Sequence, residues 1–338
     1  MLTGEVPAGM SMKKRLAEGV VVLGLGLSTL LAAQEATDST PQTSGSVFQA
    51  EVSVGYVLVP VVVRSRTGAT QRLSAAQFSL TVDGLPVAIE SFESGAQAPI
   101  GVLFLQDLSG SMSIGPKLEQ SRQLIDCVLG LERNGDEFAV ASFSNQKLFV
   151  EVPFPGALDA IREVTSSWRG YGRTALHDAV AWLPDLVHSR ASPRRAVVLI
   201  TDGVDNASLV APAEARDQMR HAEVPVHVVG LESGNIYSLR RDGGKVHRLA
   251  DTLNLIGWAT GGSYHGIDSS DDVTSTCHAI VDQLRHQYVL GFSTAAEPAA
   301  DRHRIEVTIR GKKKLQIQHR HSYEGTPPRT IGSSPRPR

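Results

Sequence analysis

Between Ile100 and about Leu284, short apolar runs alternate with segments whose apolar residues recur at helical spacing. Unbroken apolar runs are typical of strands buried on both faces, and their alternation with amphipathic helices indicates a mostly parallel sheet. The pattern therefore predicts a doubly wound α/β domain over residues 97–286, with helices on both faces of the sheet. The predicted strands are IGVLFLQ, FAVASFS, KLFVEV, AVVLIT and VPVHVVGL, with a short one near Ser263-Tyr264-His265. The predicted helices are Lys117 to Leu131, Ala157 to Ser166, Ala175 to Ser189, Pro212 to Ala222, Leu249 to Ala259 and Asp271 to Leu284.

One strand pair inside this region has a different signal. FAVASFS and KLFVEV are separated only by Asn145-Gln146, which predicts a hairpin. Such a hairpin would place one antiparallel strand at the edge of the otherwise parallel sheet.

The sequence on either side of this region has the pattern of short β-strands. Within residues 47–96, GYVLVPVVVRS is apolar and β-branched, while FSLTV and LPVAIESF flank Asp83-Gly84, a strong hairpin signal. Residues 287–323 add the strand candidates QYVLGFS, RIEVTIR and LQIQHRHSY. A β-unit this short needs a partner for its open face. We therefore expect the two ends of the chain to meet in a small β-sandwich-like unit.

The two termini carry compositional signals of another kind. Met12-Lys-Lys-Arg, a candidate true start, precedes the apolar run Val20 to Leu31 and then Ala32-Ala33, as in a secretory signal peptide. The run is short for a membrane span, so residues 1–33 are predicted to be cleaved; an uncleaved anchor is the alternative. Residues 34–46 would be a flexible lead-in and 324–338 a disordered tail. The mature protein is expected to be exported (periplasmic, cell-surface or secreted) without a stable membrane span.

Charge and cysteine content limit the function classes further. The chain has 338 residues and a formal net charge of -2, which gives no footprint for nucleic acid. Its two cysteines, Cys127 and Cys277, could form a disulfide in an oxidising compartment. Helical spacing argues against pairing, because Cys277 lies within the apolar stripe of its helix and Cys127 lies off the stripe of its own.

Polar oxygen ligands follow the first buried strand. The run from Ile100 ends in Asp107, and Ser109 and Ser111 alternate after it, so a tight turn can direct all three side chains to one spot. A buried carboxylate needs a partner, and an all-oxygen set favours a hard cation such as magnesium, calcium or manganese. The alternative is that these residues only cap the next helix.

Two more segments carry oxygen-bearing side chains that are expected to lie near Asp107. AVVLIT ends before Asp202, and a glycine-bearing loop, Gly170 to Arg173, precedes Thr174 at the start of a helix. In open α/β sheets, ligands bind outside the carboxyl ends of strands where the strand order reverses. Three loops with oxygen ligands are therefore expected to converge there.

The central region resembles the von Willebrand factor type A (VWA) domain. Its metal-ion-dependent adhesion site (MIDAS) is matched at every position by Asp107, Ser109, Ser111, Thr174 and Asp202. The flanking segments LSAAQFSLTVDGLPVAIESF, WATGGSYHG and LRHQYVLGF resemble the exported "VWFA-related" proteins described from acidobacteria. The resemblance implies that these five residues bind Mg²⁺, or alternatively Ca²⁺ or Mn²⁺, directly or through water. It also implies a partner protein that presents Asp or Glu to the metal, and a last helix that slides in some members.

These observations lead to an exported, non-enzymatic, adhesion-type binding module as the principal hypothesis. The alternatives are a scaffold protein of the cell envelope in which the metal only joins the loops, and a hydrolase with His177 as general base. No GxSxG, GxxxxGK[ST] or HExxH motif is present. Asp205 and Asn206 could hold water at the site or be ordinary loop residues, and Asp178 is explained by its place on a helix face.

Overall fold

The computed structural model describes residues 54–65, 73–187, 194–203, 205–221, 223–231, 239–242, 245–295, 302–311 and 315–324. The predicted signal peptide (1–33), the lead-in (34–46) and the tail after Glu324 lie outside these ranges. No helix within the described ranges combines the length and the apolar character that a membrane span requires.

The elements follow the predicted order along the chain. The strands are β1 (Val54–Ser65), β2 (Phe78–Val82), β3 (Leu85–Val87), β4 (Ser91–Glu93), β5 (Gly101–Asp107), β6 (Glu137–Ser144), β7 (Lys147–Val152), β8 (Arg195–Thr201), β9 (Val226–Leu231), β10 (Leu239–Asp242), β11 (Lys245–Arg248), β12 (Tyr264–Ile267), β13 (Tyr288–Ala295), β14 (Arg302–Ile309), β15 (Leu315–His319) and β16 (Ser322–Glu324). The helices are α1 (Lys117–Gly130), α2 (Leu158–Ser167), α3 (Leu176–Ala181), α4 (Leu183–Leu186), α5 (Pro212–Arg220), α6 (Leu249–Thr260) and α7 (Ser270–His286).

The predicted doubly wound α/β fold is confirmed. A six-stranded sheet has the order β12-β9-β8-β5-β6-β7, in which β7 pairs antiparallel with β6 and the other pairs are parallel. Side chains alternate along β5, so Val102 and Phe104 join one buried apolar cluster while Leu103 and Leu105 join the other. Each face of the sheet therefore has its own core, as the unbroken apolar runs predict.

The strand order reverses at β5. The chain passes from β5 through α1 to β6 on one side, and β8 lies on the other side of β5. The carboxyl ends of β5 and β8 thus form the switch point at which open α/β sheets bind ligands.

Strands from both ends of the chain pair with each other, as predicted. One antiparallel sheet has the order β15-β1-β13-β4 and the other the order β16-β14-β2-β3. Between them lies an apolar cluster that includes Val59, Leu80, Phe292 and Ile305. The β2–β3 turn has positive φ at Asp83 and Gly84, which is the conformation that two-residue hairpins require.

The helix predicted from Ala175 is interrupted, as its Pro184 requires, because proline cannot donate a backbone hydrogen bond, and the chain forms α3 and α4. Two details differ from the predicted elements. LPVAIESF forms two short strands, β3 and β4, that belong to different sheets. The hairpin of β10 and β11 was not predicted.

The expectation that the cysteines do not pair is wrong. Cys127 and Cys277 form a disulfide that links α1 to α7 across 150 residues. The buried side of α1 is wider than the stripe facing the sheet, since it also includes Gln120 and Leu124. Cys127 follows Leu124 by three positions and Gln120 by seven, so it lies on the side of α1 that packs against α7.

Candidate metal centre

Two buried aspartates lie next to each other at the switch point. Asp107 is the last residue of β5, and Asp202 follows β8 directly. The two strands are hydrogen-bonded in parallel with Gln106 opposite Ile200, so both acids leave the sheet at the same edge. Their exposed fractions are 0% and 1%, and buried carboxylates of this kind require compensating partners.

The Asp107 carboxylate is only partly compensated by hydrogen bonds. The backbone N–H of Ser109 donates to Oδ1 at 2.8 Å, and the Thr201 hydroxyl donates to Oδ2 at 2.6 Å. Burial nevertheless raises the pKa of Asp107 to about 6, and the negative charge of Asp202 adds to this rise against the lowering effect of the hydrogen bonds. A cation placed between the two acids would reverse the effect.

The two serines lie on the turn that follows β5. Residues Gly110–Ser113 form one 3₁₀ turn, and the Ser109 Oγ lies 3.1 Å from the Ser111 Oγ. The turn therefore brings two hydroxyl oxygens together beside Asp107, as the alternating sequence predicts. Ser109, which precedes the turn, makes no side-chain cap hydrogen bond, and the N-cap residue of α1 is Pro116, so the serines do not cap the next helix.

The loop before Thr174 packs against this turn through its backbone. The N–H of Tyr171 donates to the Leu108 carbonyl at 2.8 Å, and the N–H of Gly110 donates to the Gly172 carbonyl at 3.0 Å. A Cβ at Gly170 would lie 2.5 Å from the Ser109 carbonyl oxygen, and Gly172 has a φ of +72°. Both glycines are therefore needed for this close approach.

The loop after Asp202 is joined to Thr174. The side-chain Oδ1 of Asn206 accepts a hydrogen bond from the Thr174 N–H at 3.0 Å, and the Asn206 and Ala207 N–H groups donate to the Thr174 carbonyl. Asp205 accepts from the backbone N–H of His177 at 3.1 Å. Asp205 and Asn206 thus position the loops on either side of the site.

Lys117 is a site residue that the sequence reasoning missed. Its Nζ lies 2.7 Å from Asp202 Oδ2, and the two side chains are 5% and 0% exposed. It also donates to the Ser111 carbonyl at 3.3 Å. A signal was available, because Lys117 is the first residue of α1, where a positive charge opposes the helix dipole.

The donor set fits a hard divalent cation. Asp202 Oδ1 is buried and has no hydrogen-bond partner among the described residues, which leaves one carboxylate oxygen unsatisfied beside the Asp107 carboxylate. No group of three or more His, Cys, Asp or Glu side chains suited to a metal occurs in the described part of the chain. The candidate set instead combines two carboxylates with hydroxyls, the ligand type that Mg²⁺, Ca²⁺ and Mn²⁺ accept.

Comparison with known proteins identifies a matching family for the central region. Residues 102–204 match the von Willebrand factor type A domain. The VWA match includes all five predicted site residues and the two strands that position them. No curated protein matches the chain.

Several solved structures are similar to parts of the fold. A von Willebrand factor type A protein from Catenulispora acidiphila has 11% identity and a TM-score of 0.47, covering 82% of this chain and 74% of its own. An aerotolerance-related membrane protein from Bacteroides fragilis has 22% identity and a TM-score of 0.43, covering 55% and 98%. The vWF domain of the type V pili tip protein Mfa5 from Porphyromonas gingivalis has 9% identity and a TM-score of 0.42, covering 55% and 94%.

Proposed function

We propose that the protein is an exported, non-enzymatic binding module that captures an acidic side chain of a partner protein through a divalent cation, Mg²⁺ in the first instance. The observation that carries the proposal is the unsatisfied Asp202 Oδ1, buried next to Asp107 at the switch point of the sheet. A buried carboxylate oxygen without a donor is costly. An unpaired oxygen at the ligand-binding edge of the sheet is explained if Asp202 Oδ1 coordinates a cation.

The residues that would hold the cation are those of the complete MIDAS pattern, Asp107, Ser109, Ser111, Thr174 and Asp202. A bound Mg²⁺ would supply a Lewis-acidic position for one oxygen of an incoming carboxylate. The two acids offset the positive charge, while the hydroxyls are neutral and leave part of it uncompensated. Thr201 and the Ser109 N–H hold the Asp107 carboxylate in a fixed orientation.

Exposed apolar side chains surround the same edge of the sheet. Ile114, Tyr171 and Leu209 are 68%, 51% and 82% exposed, and each lies on one of the three loops that form the site. A protein that places a carboxylate at the site would contact these side chains, and apolar groups are common in the buried centre of protein contact surfaces. They support a protein partner, with the carboxylate at the centre of the contact and apolar groups around it.

Export is supported by two independent features. The chain carries the signal-peptide pattern at residues 1–33, and the Cys127–Cys277 disulfide requires an oxidising compartment to persist. The flanking strands, which resemble exported VWFA-related proteins, agree with a periplasmic, cell-surface or secreted location.

The first test is metal binding by the protein alone. Isothermal titration of the EDTA-treated protein with Mg²⁺, Ca²⁺ and Mn²⁺ is expected to show one site per chain. Asp107→Ala should weaken binding at least about ten-fold, because it removes one of two charged ligands. Asp159→Ala is the matched control, since Asp159 has a 99% exposed side chain away from the site.

The second test is capture of a partner from the native envelope fraction. Capture should require Mg²⁺, fail with EDTA and with Asp107→Ala, and fail after the carboxylates of the fraction have been amidated with carbodiimide and glycinamide. Metal binding that stabilises the protein without metal-dependent capture would favour the scaffold alternative. Absence of metal binding would overturn both, and turnover of a generic phosphoester lost in His177→Ala would favour a hydrolase.

A further inference from the structure

The buried lysine of the site has no role in the pattern that predicts the metal ligands. Lys117 is 4% exposed, and lysines are rarely buried to this degree without a partner. Its ammonium group contacts Asp202 Oδ2 and the Ser111 carbonyl, one group from each of two site loops. The amine therefore fixes both loops at the position where a cation would bind.

The contact is made to one oxygen of Asp202 only. Lys117 contacts Oδ2 at 2.7 Å, while Oδ1 is left without a partner among the described residues. Holding one oxygen restricts the carboxylate to few orientations, so the other oxygen is already positioned for a ligand. The lysine thus orients the acid and at the same time neutralises part of its charge, and this neutralisation opposes the binding of a cation.

The net charge of the metal-bound site depends on whether Lys117 is present. Asp107, Asp202 and Lys117 together carry one net negative charge, and a divalent cation would change the total to one net positive charge. Without Lys117 the same cation would leave the site neutral. A net positive charge in a site of low dielectric is unfavourable by itself and is removed by one incoming carboxylate.

We propose that Lys117 is the residue that makes metal binding and carboxylate binding interdependent, so that the site binds the cation weakly alone and tightly together with an acidic ligand. This inference rests on the proposed function. Lys117 is not one of the five proposed metal ligands, but its positive charge would make the metal-bound site prefer an anionic partner. Because coupling between two ligands is reciprocal, each should raise the affinity for the other by the same factor.

The test compares metal binding by wild type and Lys117→Met, with acetate as the carboxylate probe. Methionine has a similar length and fills the buried space without the charge. Titration with Mg²⁺ and Mn²⁺ in the absence of acetate should show at least about ten-fold tighter binding by Lys117→Met, because a positive charge near the cation has been removed. Acetate at saturating concentration should raise the metal affinity of wild type and leave that of Lys117→Met nearly unchanged.

Two further variants control the experiment. Lys147 is exposed and begins β7 at the same edge of the sheet, so Lys147→Met tests the general loss of a surface charge and should change the affinity less than about two-fold. Lys117→Gln keeps a polar group without charge and should behave like Lys117→Met. Thermal unfolding in EDTA establishes that each variant is folded before titration.

The outcomes separate this inference from the proposed function. Metal affinity that falls or stays constant in folded Lys117→Met and Lys117→Gln, with wild type still binding metal, overturns the role of Lys117 alone. If neither wild type nor either variant binds metal, both the role of Lys117 and the proposed function are overturned. Binding by the variants but not by wild type, even with acetate, overturns the proposed function and the interdependence of the two ligands.

Discussion

In the described part of the α/β region, two buried acid–base pairs lie at opposite ends of the sheet, and they are built differently. At the amino end, Arg285 and Asp136 have side chains that are 3% and 0% exposed. Asp136 Oδ1 accepts hydrogen bonds from the Ile100 N–H at 2.9 Å and Arg285 Nη1 at 2.7 Å, while Oδ2 accepts from the Arg133 N–H at 2.8 Å and also from Arg285 Nη2. At the carboxyl end, Lys117 contacts one oxygen of Asp202 and the other is unsatisfied.

The pKa of Asp136 and the pKa of Asp107, which lies next to Asp202, shift in opposite directions. Burial by itself would raise the pKa of Asp136, but the hydrogen bonds from Arg285 and two backbone N–H groups hold it below its ordinary value. At the other end, burial raises the pKa of Asp107 to about 6, and its hydrogen bonds do not offset the rise. Both oxygens of Asp136 accept hydrogen bonds, whereas Asp202 of the candidate site keeps one buried oxygen without a partner among the described residues.

The largest expected effect is at the satisfied pair. Asp136→Ala removes the partner of buried Arg285 and leaves the Ile100 and Arg133 N–H groups without their acceptor, so the free energy of unfolding should fall by about 3–5 kcal/mol. Urea denaturation in EDTA measures the loss. Asp159→Ala, at a 99% exposed position, should stay within about 0.5 kcal/mol. A loss below about 1 kcal/mol for Asp136→Ala would show that this pair is not the structural one.

A smaller loss is expected from removing the disulfide between the helices that carry the two bases. Lys117 begins α1 and Arg285 lies near the end of α7, and Cys127–Cys277 joins these helices. The double variant Cys127→Ala/Cys277→Ala should lose about 2–4 kcal/mol in urea denaturation, because the unfolded chain is no longer cross-linked.

The reduced wild type supplies the control for the disulfide. Reductant should destabilise wild type toward the level of the double variant and leave the double variant unchanged. The Mg²⁺ affinity of the folded double variant should stay within about two-fold of wild type, since none of the proposed ligands lies on α1 or α7, the two helices that the disulfide joins. Reductant-insensitive stability of wild type would contradict the expectation.

Local pattern was sufficient to predict the strands and the acids at their ends. The unbroken apolar runs of β5 and β8 indicated strands buried on both faces, and the acids after them had to meet at one edge because parallel strands end together. The turn at Asp83-Gly84 was predictable because positive φ restricts the residue choice. These features depend on residues close in sequence.

Partners that are distant in sequence were not predictable in the same way. Arg285 and Asp136 are separated by 149 positions, and helical periodicity describes the face of a helix without identifying what packs on each part of it. Cys127 was misjudged for this reason, because α1 packs against α7 as well as against the sheet, and only one apolar stripe was assumed. The β10–β11 hairpin lacks apolar alternation, although Asp242-Gly243-Gly244 is a turn signal that could have indicated it.

The smallest expected effect, and the sharpest contrast with Asp136, comes from Asp107→Asn. Asparagine keeps an acceptor for the Ser109 N–H, its amide can donate to the Thr201 hydroxyl oxygen, and it removes a buried charge beside Asp202. The metal-free protein should therefore unfold with a free energy equal to or up to about 1 kcal/mol above that of wild type at pH 7, while Mg²⁺ binding is lost.

The pH dependence of this difference has a definite sign. The folded-state pKa of Asp107, about 6, lies above the ordinary aspartate value of 3.8, so the folded protein binds its proton more tightly than the unfolded chain. The associated stability is present below about pH 4 and lost as pH rises through about 6. The advantage of Asp107→Asn in EDTA should accordingly shrink as pH falls from 7 to 5. A destabilisation at pH 7 as large as that of Asp136→Ala would mean that Asp107 is a structural acid, and that the two ends of the sheet do not differ as the unpaired Oδ1 of Asp202 indicates.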